Sequence, residues 1–473
     1  MEKIGYKPLS NRIKPVHIAN GLFREILGTQ YSLETMNTWS KRFKSGKEIN
    51  SANDIKSKYS EIIDEDMSLD EINELRGYIG QLLDSDKAVT PELKFSALTI
   101  ASKTQVGSEV QNEFKIPGFL FRILNTKVDE QISPSLKKVK ELLNDETDEI
   151  SKFIRPLTNI DVKSKELEKV KPIETSLTGV ELQIRKGFDK LVGNSKTNAN
   201  KLLFLQRFIT YSCFAIMYHL SSKFLDISNR FDSRDRIPLV LDANIGNDSI
   251  RIASQESLLL ARLNIENFYE KTVENILLAN EYSNKTKEDI LEEINKLSFK
   301  QKKVKKANDN ETEPNEEMKN VFIGYFNQTG NLIESYARAI RLIMFSKVIN
   351  SSDPATSYVA LGAKIGLIYG RTKKRYLPTP NILEVLILSV LNDGEMLTLS
   401  DFGRKICGDF GIIIGANPEE DVQQLKMWDI SEHVPGDLYT SLAENADALS
   451  EIYISMGYAK RYADGVIIFS LNK

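Results

Sequence analysis

The chain has 473 residues, 63 of them Lys or Arg and 66 Asp or Glu, for a net charge of -3. That near-balance excludes a histone-like polycation, and 41% hydrophobic residues exclude global disorder. With only Cys213, Cys407, His17, His219 and His433, neither a disulfide framework nor a His/Cys metal centre is expected, and the natural compartment is a reduced, cytoplasmic one.

The first 15 residues contain no apolar run of the kind that marks a signal peptide. Residues 1–155 read as an N-terminal helical domain. Ser68 and Glu71 form a capping-box pattern, followed at helical spacing by Leu69, Ile72, Leu75, Ile79 and Leu82, so a helix is predicted over 68–83. Pro91 opens a further helix and another is predicted over 135–143. Pro156, Pro172 and the charged run between them predict a hinge over 156–176.

A middle helical domain follows over 177–297, with long apolar helices at about 199–229 and 254–281. The apolar stretch Leu202–Leu220 is long enough to invite a membrane reading. Gln206, Arg207 and His219 within it favour a buried core helix, so no membrane association is expected. Between the helices, Arg236–Asp242 is β-compatible and ends in the turn ANIGNDS, which places a short β segment near 237–252. Ser254 and Ser257 read as caps of the next helix. Residues 298–317 pass from a lysine block to an acidic, Asn-rich block and read as a charged linker. A helical segment spans 318–375, with helices at 318–328, 331–349 and 356–368.

Residues 376–473 have the most specific pattern. A helix after Pro380 is followed by a short extended piece from Gly394 and a helix capped by Ser400. A long helix is predicted over 436–456, and two strands flank Asp464-Gly465. That order is the order of a winged helix-turn-helix. The expected fold class is therefore mainly α: a multi-domain helical protein with a C-terminal winged helix and minor β structure.

Chemistry-bearing motifs are scarce. No phosphate-cradling glycine loop and no zinc motif occur, and no cofactor is expected. The Asp242–Asp248 turn fails as a calcium loop, because its fifth position is Gly246 and its twelfth is Ala253. A carboxylate ending an apolar strand is nonetheless where α/β enzymes place metal ligands, so Asp235, Asp242 and Asp248 form the candidate set for a metal-dependent nuclease. A surface turn with local ion pairs is the simpler reading. Cys213 reads as a buried small residue of the apolar helix, and Cys407, beside Arg404 and Lys405, has no histidine nearby in sequence to activate it.

Cations cluster at Arg371, Lys373, Lys374 and Arg375, flanked by Tyr369 and Tyr376, and again at Lys460 and Arg461 in the expected wing. Lys and Arg in this arrangement suit contact with nucleic-acid phosphates. From Asn381 to Lys473, however, fifteen acidic residues face six basic ones, a net -9, which leaves +6 for the rest of the chain. The helix over 436–456 carries acidic charges alone, unfavourable for a helix that docks on DNA. A protein partner is the better match for that face.

Residues 376–415 and 237–258 resemble segments of uncharacterised accessory proteins in bacterial anti-phage defence operons. Such operons pair a DNA modification enzyme with a large ATPase or helicase, as on the restriction side of DNA phosphorothioation systems. The resemblance implies a non-catalytic accessory or scaffold subunit whose partners are the complex's protein subunits, an ATPase or helicase among them, with DNA as a further ligand. The alternatives are the nuclease centred on Asp242 and a winged-helix transcription regulator.

Overall fold

The structure is a computed structural model, and it describes residues 13–27, 34–44, 46–88, 114–144, 157, 176–195, 201–227, 236–298, 304–305, 311–345 and 354–471. The chain is mainly helical. The described helices are α1 (Pro15–Leu27), α2 (Glu34–Ser40), α3 (Ala52–Lys58), α4 (Leu69–Ala88), α5 (Ile116–Asn125), α6 (Pro134–Asn144), α7 (Gly179–Asn194), α8 (Lys201–Ile227) and α9 (Asp248–Ala279). They continue with α10 (Lys287–Lys296), α11 (Pro314–Thr329), α12 (Leu332–Phe345), α13 (Pro354–Lys364), α14 (Pro380–Val390), α15 (Leu399–Phe410), α16 (Pro418–Met427) and α17 (Leu438–Ser455). Strands are short: β1 (Phe43–Lys44), β2 (Lys47–Glu48), β3 (Leu239–Val240), β4 (Val304–Lys305), β5 (Glu311–Thr312), β6 (Ile368–Tyr369), β7 (Arg375–Tyr376), β8 (Met396–Thr398), β9 (Ile412–Ile413), β10 (Ala459–Arg461) and β11 (Ile467–Ser470).

Several helix starts follow from capping chemistry. The Ser68–Glu71 box opens α4, with Ser68 N–H donating to Glu71 at 2.7 Å. Thr178 and Glu181 make the same reciprocal pair at α7. The helix expected after Pro91, and nearly all of the hinge expected over 156–176, lie outside the described residues.

At the centre lies α8, buried along every residue from Phe208 to Lys223. Its neighbours α1, α7, α9, α13 and α14 surround it, which explains an apolar helix without a polar face. No described helix is long and apolar enough to cross a membrane. The same core extends without a break into Phe402, Phe410, Tyr453 and Phe469, across the boundary expected at residue 376. Phe410 stands edge-on to Phe214 and Tyr218 of α8, at ring distances of 5.2 and 5.3 Å.

Helix α9 spans about 48 Å at 1.5 Å per residue. Its middle belongs to the main core, its first turns pack with β3, β9, α16 and α17, and its last turns form a further cluster with α10, α11 and α12. It begins at Asp248 rather than 254, because Asn247 caps it by accepting from Ile250 N–H at 3.1 Å. Ser254 and Ser257 are therefore not caps. Both are buried inside the helix, where their hydroxyls receive backbone N–H groups from neighbouring strands: Tyr376 to Ser254 at 2.9 Å and Val240 to Ser257 at 3.1 Å.

The β segment expected near 237–252 has a partner far along the chain. β3 pairs in parallel with β9. The turn into β9 needs Gly411, whose φ is 71° and whose Cβ, if present, would lie 2.3 Å from the Ile237 carbonyl. In the C-terminal region β8, β10 and β11 form an antiparallel sheet in the order β10-β11-β8. Thr398, not Ser400, caps α15, accepting from Asp401 N–H at 3.2 Å, while Ser400 turns to Asn417. In the span expected to be a linker, β4 and β5 pair and α11 starts at Pro314. Lys300, Lys302, Lys303 and Lys306 lie outside the described residues.

Candidate nucleic-acid interface

The helix expected over 356–368 stops at Lys364, and the chain turns at Gly366 into the hairpin β6–β7. The cations expected to contact nucleic-acid phosphates thus occupy the end of a hairpin. Alternation sorts its residues: Ile368 and Tyr376 pair on the buried side, whereas Tyr369 pairs with Arg375. Tyr376 is fully buried, its hydroxyl 2.7 Å from that of Tyr358, so of the two flanking tyrosines only Tyr369 is exposed, at 67%.

The base of the hairpin is tied to the rest of the fold at several points. Tyr376 N–H donates to Ser254, and the Tyr376 carbonyl accepts from Asp242 N–H at 2.8 Å. Thr379 N–H donates to the Gly366 carbonyl at 2.8 Å. Arg375 Nε donates to Asp242 Oδ2, a pair whose side chains are 17% and 1% exposed. Burial pushes the Asp242 carboxyl up from its ordinary range, and the Arg375 guanidinium opposes that shift. Arg375 is thus the counter-ion of a buried carboxylate, a role that keeps its Nε away from any phosphate.

Arg371, Lys373 and Lys374 form the tip and are all exposed. No carboxylate among the described residues pairs with them. At Gly370 φ is 113°, and an added Cβ would fall 2.6 Å from the Lys373 carbonyl, so the reversal is tight and specific to glycine.

The remaining sequence-derived candidates separate. Lys460 and Arg461 are exposed on β10, in a different sheet. Lys460 lies over the Tyr462 ring at 5.3 Å and Arg461 pairs with Glu451 of α17 at 2.6 Å. Asp235 lies outside the described residues. Asp248 occupies the first turn of α9, exposed, and pairs with Arg251 at 2.9 Å. Among the described residues no group of three or more His, Cys, Asp or Glu is arranged to hold a metal ion. Burial pushes the Cys213 thiol well up and that of Cys407 up to about 12, so neither is a ready thiolate.

Helix α17 contributes residues that sequence reading missed. Asn445 is fully buried and uses its whole amide. It accepts from the Ala243 and Asn244 N–H groups at 2.8 and 3.2 Å, and donates to the Leu241 and Ile414 carbonyls at 2.8 and 3.0 Å. Glu444, next to it, accepts from Asn247 at 3.2 Å. The helix is therefore docked on the turn after β3, and its exposed positions include Glu444, Asp447 and Glu451. An open groove of about 420 Å³ runs between α16 and the start of α17, lined by Glu419, Val422, Lys426, Asp437, Leu438 and Tyr439.

Among known proteins, no family model matches the chain and no curated protein shows significant similarity to it.

Proposed function

We propose that this protein is a non-catalytic accessory subunit of a bacterial DNA-directed defence complex, touching nucleic acid with the β6–β7 tip and holding a protein partner on the acidic C-terminal face. The observation that carries this reading is the tip itself. Three exposed cations without carboxylate partners among the described residues stand on a turn whose base is clamped by a buried ion pair. Unpaired cations on a preset turn attract phosphate at little ordering cost.

The C-terminal unit reads as a winged helix. Helix α14, β8, α15, α17 and the hairpin β10–β11 follow one another, and the sheet order β8-β11-β10 is that of the winged fold. In that reading α17 takes the place of the recognition helix. Its acidic exposed side and its docking on the Asn244–Asn247 turn favour a protein partner over the major groove. An ATPase or helicase subunit is the partner we assign to that face.

A gel-shift series against salt tests the nucleic-acid part. Binding is expected at low salt, with log K falling by about 0.7–0.9 per phosphate contact for each decade of salt. The combined variant Arg371→Ala, Lys373→Ala and Lys374→Ala should lose most of that slope. No binding at low salt, or no loss in the variant, overturns the reading. Co-purification from the intact operon tests the partner: a co-eluting ATPase supports it, and a protein that elutes alone counts against it.

A further inference from the structure

We infer that the β6–β7 hairpin is built for single-stranded nucleic acid, with an unpaired base stacked on Tyr369 and the adjoining phosphates on Arg371, Lys373 and Lys374. The inference rests on the nucleic-acid reading of the same hairpin and names the form of strand it takes.

The ring of Tyr369 is the reason. It is 67% exposed, and among the described residues neither a cation nor another ring covers it. Several other accessible tyrosines are engaged, and Tyr439, 49% exposed, lines the α16–α17 groove with Glu419, Lys426 and Asp437 instead of standing on a cationic tip. Tyr462 has Lys460 over its ring at 5.3 Å, Tyr325 has Arg338 at 4.0 Å, and Tyr78 ties its hydroxyl to Glu74 at 3.1 Å. A bare aromatic face beside unpaired cations matches the two requirements of single-strand binding, a stacking platform and a charge track along the backbone. Bases in a duplex already stack on one another, so such a ring gains a partner there only after a step is unstacked, at a cost of a few kcal/mol.

Position supports the same assignment. Tyr369 directly precedes Gly370, whose conformation folds the chain back against the Lys373 carbonyl. The ring and the three cations therefore belong to one turn, close enough for neighbouring nucleotides. Directly across the ladder from Tyr369 is Arg375, held by Asp242. The strand opposite the ring is thus anchored, and the platform is formed before ligand arrives.

Fluorescence anisotropy of the full chain with three labelled ligands of equal length tests this: oligothymidine, an abasic strand and a blunt duplex, all at low salt. Oligothymidine is expected to bind tightest. Tyr369→Ala should weaken oligothymidine roughly tenfold, to the level of the abasic strand, and leave the abasic strand and the duplex unchanged. Tyr369→Phe keeps the ring face and should retain oligothymidine binding. The ring is exposed, so an unaltered melting temperature is expected for both variants. Equal affinity for oligothymidine and the abasic strand, or an equal loss on all three ligands in Tyr369→Ala, overturns the stacking assignment while leaving phosphate binding in place. Failure to bind any of the three overturns the nucleic-acid reading, and this inference with it.

Discussion

Arg375 lies 133 positions after Asp242, yet the two form a buried ion pair. Taking Arg375 away leaves the buried Asp242 carboxylate with only the Arg251 charge to offset it. Arg375→Ala should therefore destabilise the protein by about 3–5 kcal/mol in a urea titration. The double variant Asp242→Leu and Arg375→Met should recover most of that loss, because two apolar groups leave no charge to solvate. A small effect of the single variant would show that the pair is solvated. The local sequence around Arg375 shows only cations, and Asp242 shows only a turn carboxylate. Which of the four cations at 371–375 meets a carboxylate is decided by the approach of Asp242 to β7, a contact between distant parts of the chain.

At the scale of the element, helix periodicity was the legible signal. α4, α6, α8, α11, α12, α14 and α17 fall within a few residues of their expected spans, because each has an apolar stripe or an apolar length to read. Strand partners and hydroxyl roles were not legible. Ser254 and Ser257 look like caps in one dimension and serve as acceptors for strands in three. Helix α16 adds a titration effect. Asp421, in its first turn, is buried, and that desolvation raises its carboxyl to about 7, opposed by the Asn417 N–H at 3.3 Å. Its folded value lies above its ordinary 3.8, so the folded state holds a proton that the unfolded chain releases. The stability contributed by this group is present below the unfolded value and is lost as pH rises through the folded one. Asp421→Asn keeps an acceptor for the Asn417 N–H and carries no charge. Its melting temperature should gain on the parent between about pH 4 and pH 7 and level off above that. A gap independent of pH would mean that Asp421 is already ionised across that range.

For the whole molecule, the core decides what can stand alone. α14 packs on α7 and α8, and Arg207 of α8 holds Glu384 of α14 through two bonds of 3.0 and 2.6 Å. β9 finds its ladder partner in β3, and Asn445 spends all of its amide on backbone on both sides of that pairing. A fragment of residues 376–473 would expose that apolar face of α14, leave β9 unpaired and leave Asn445 with only its Ile414 partner. Produced alone, it should bind a hydrophobic dye and give a poorly dispersed amide spectrum. A well-dispersed spectrum with a cooperative melt would show instead that the unit carries its own core.

The sequence by itself determined the helical class, the buried nature of α8, the elements α14, β8, α15, α17, β10 and β11 in their order, without the intervening β9 and α16, and the acidic balance of the C-terminal region. These depend on residue type and spacing within one segment. Tertiary structure alone decided the parallel pairing of β3 with β9, the burial of Arg375 against Asp242, the docking of α17 through Asn445 and the isolation of Tyr369 on an exposed turn. Each of these joins residues from different parts of the chain, or sorts adjacent residues to opposite faces of a two-residue strand. Local periodicity is too short-ranged to encode either.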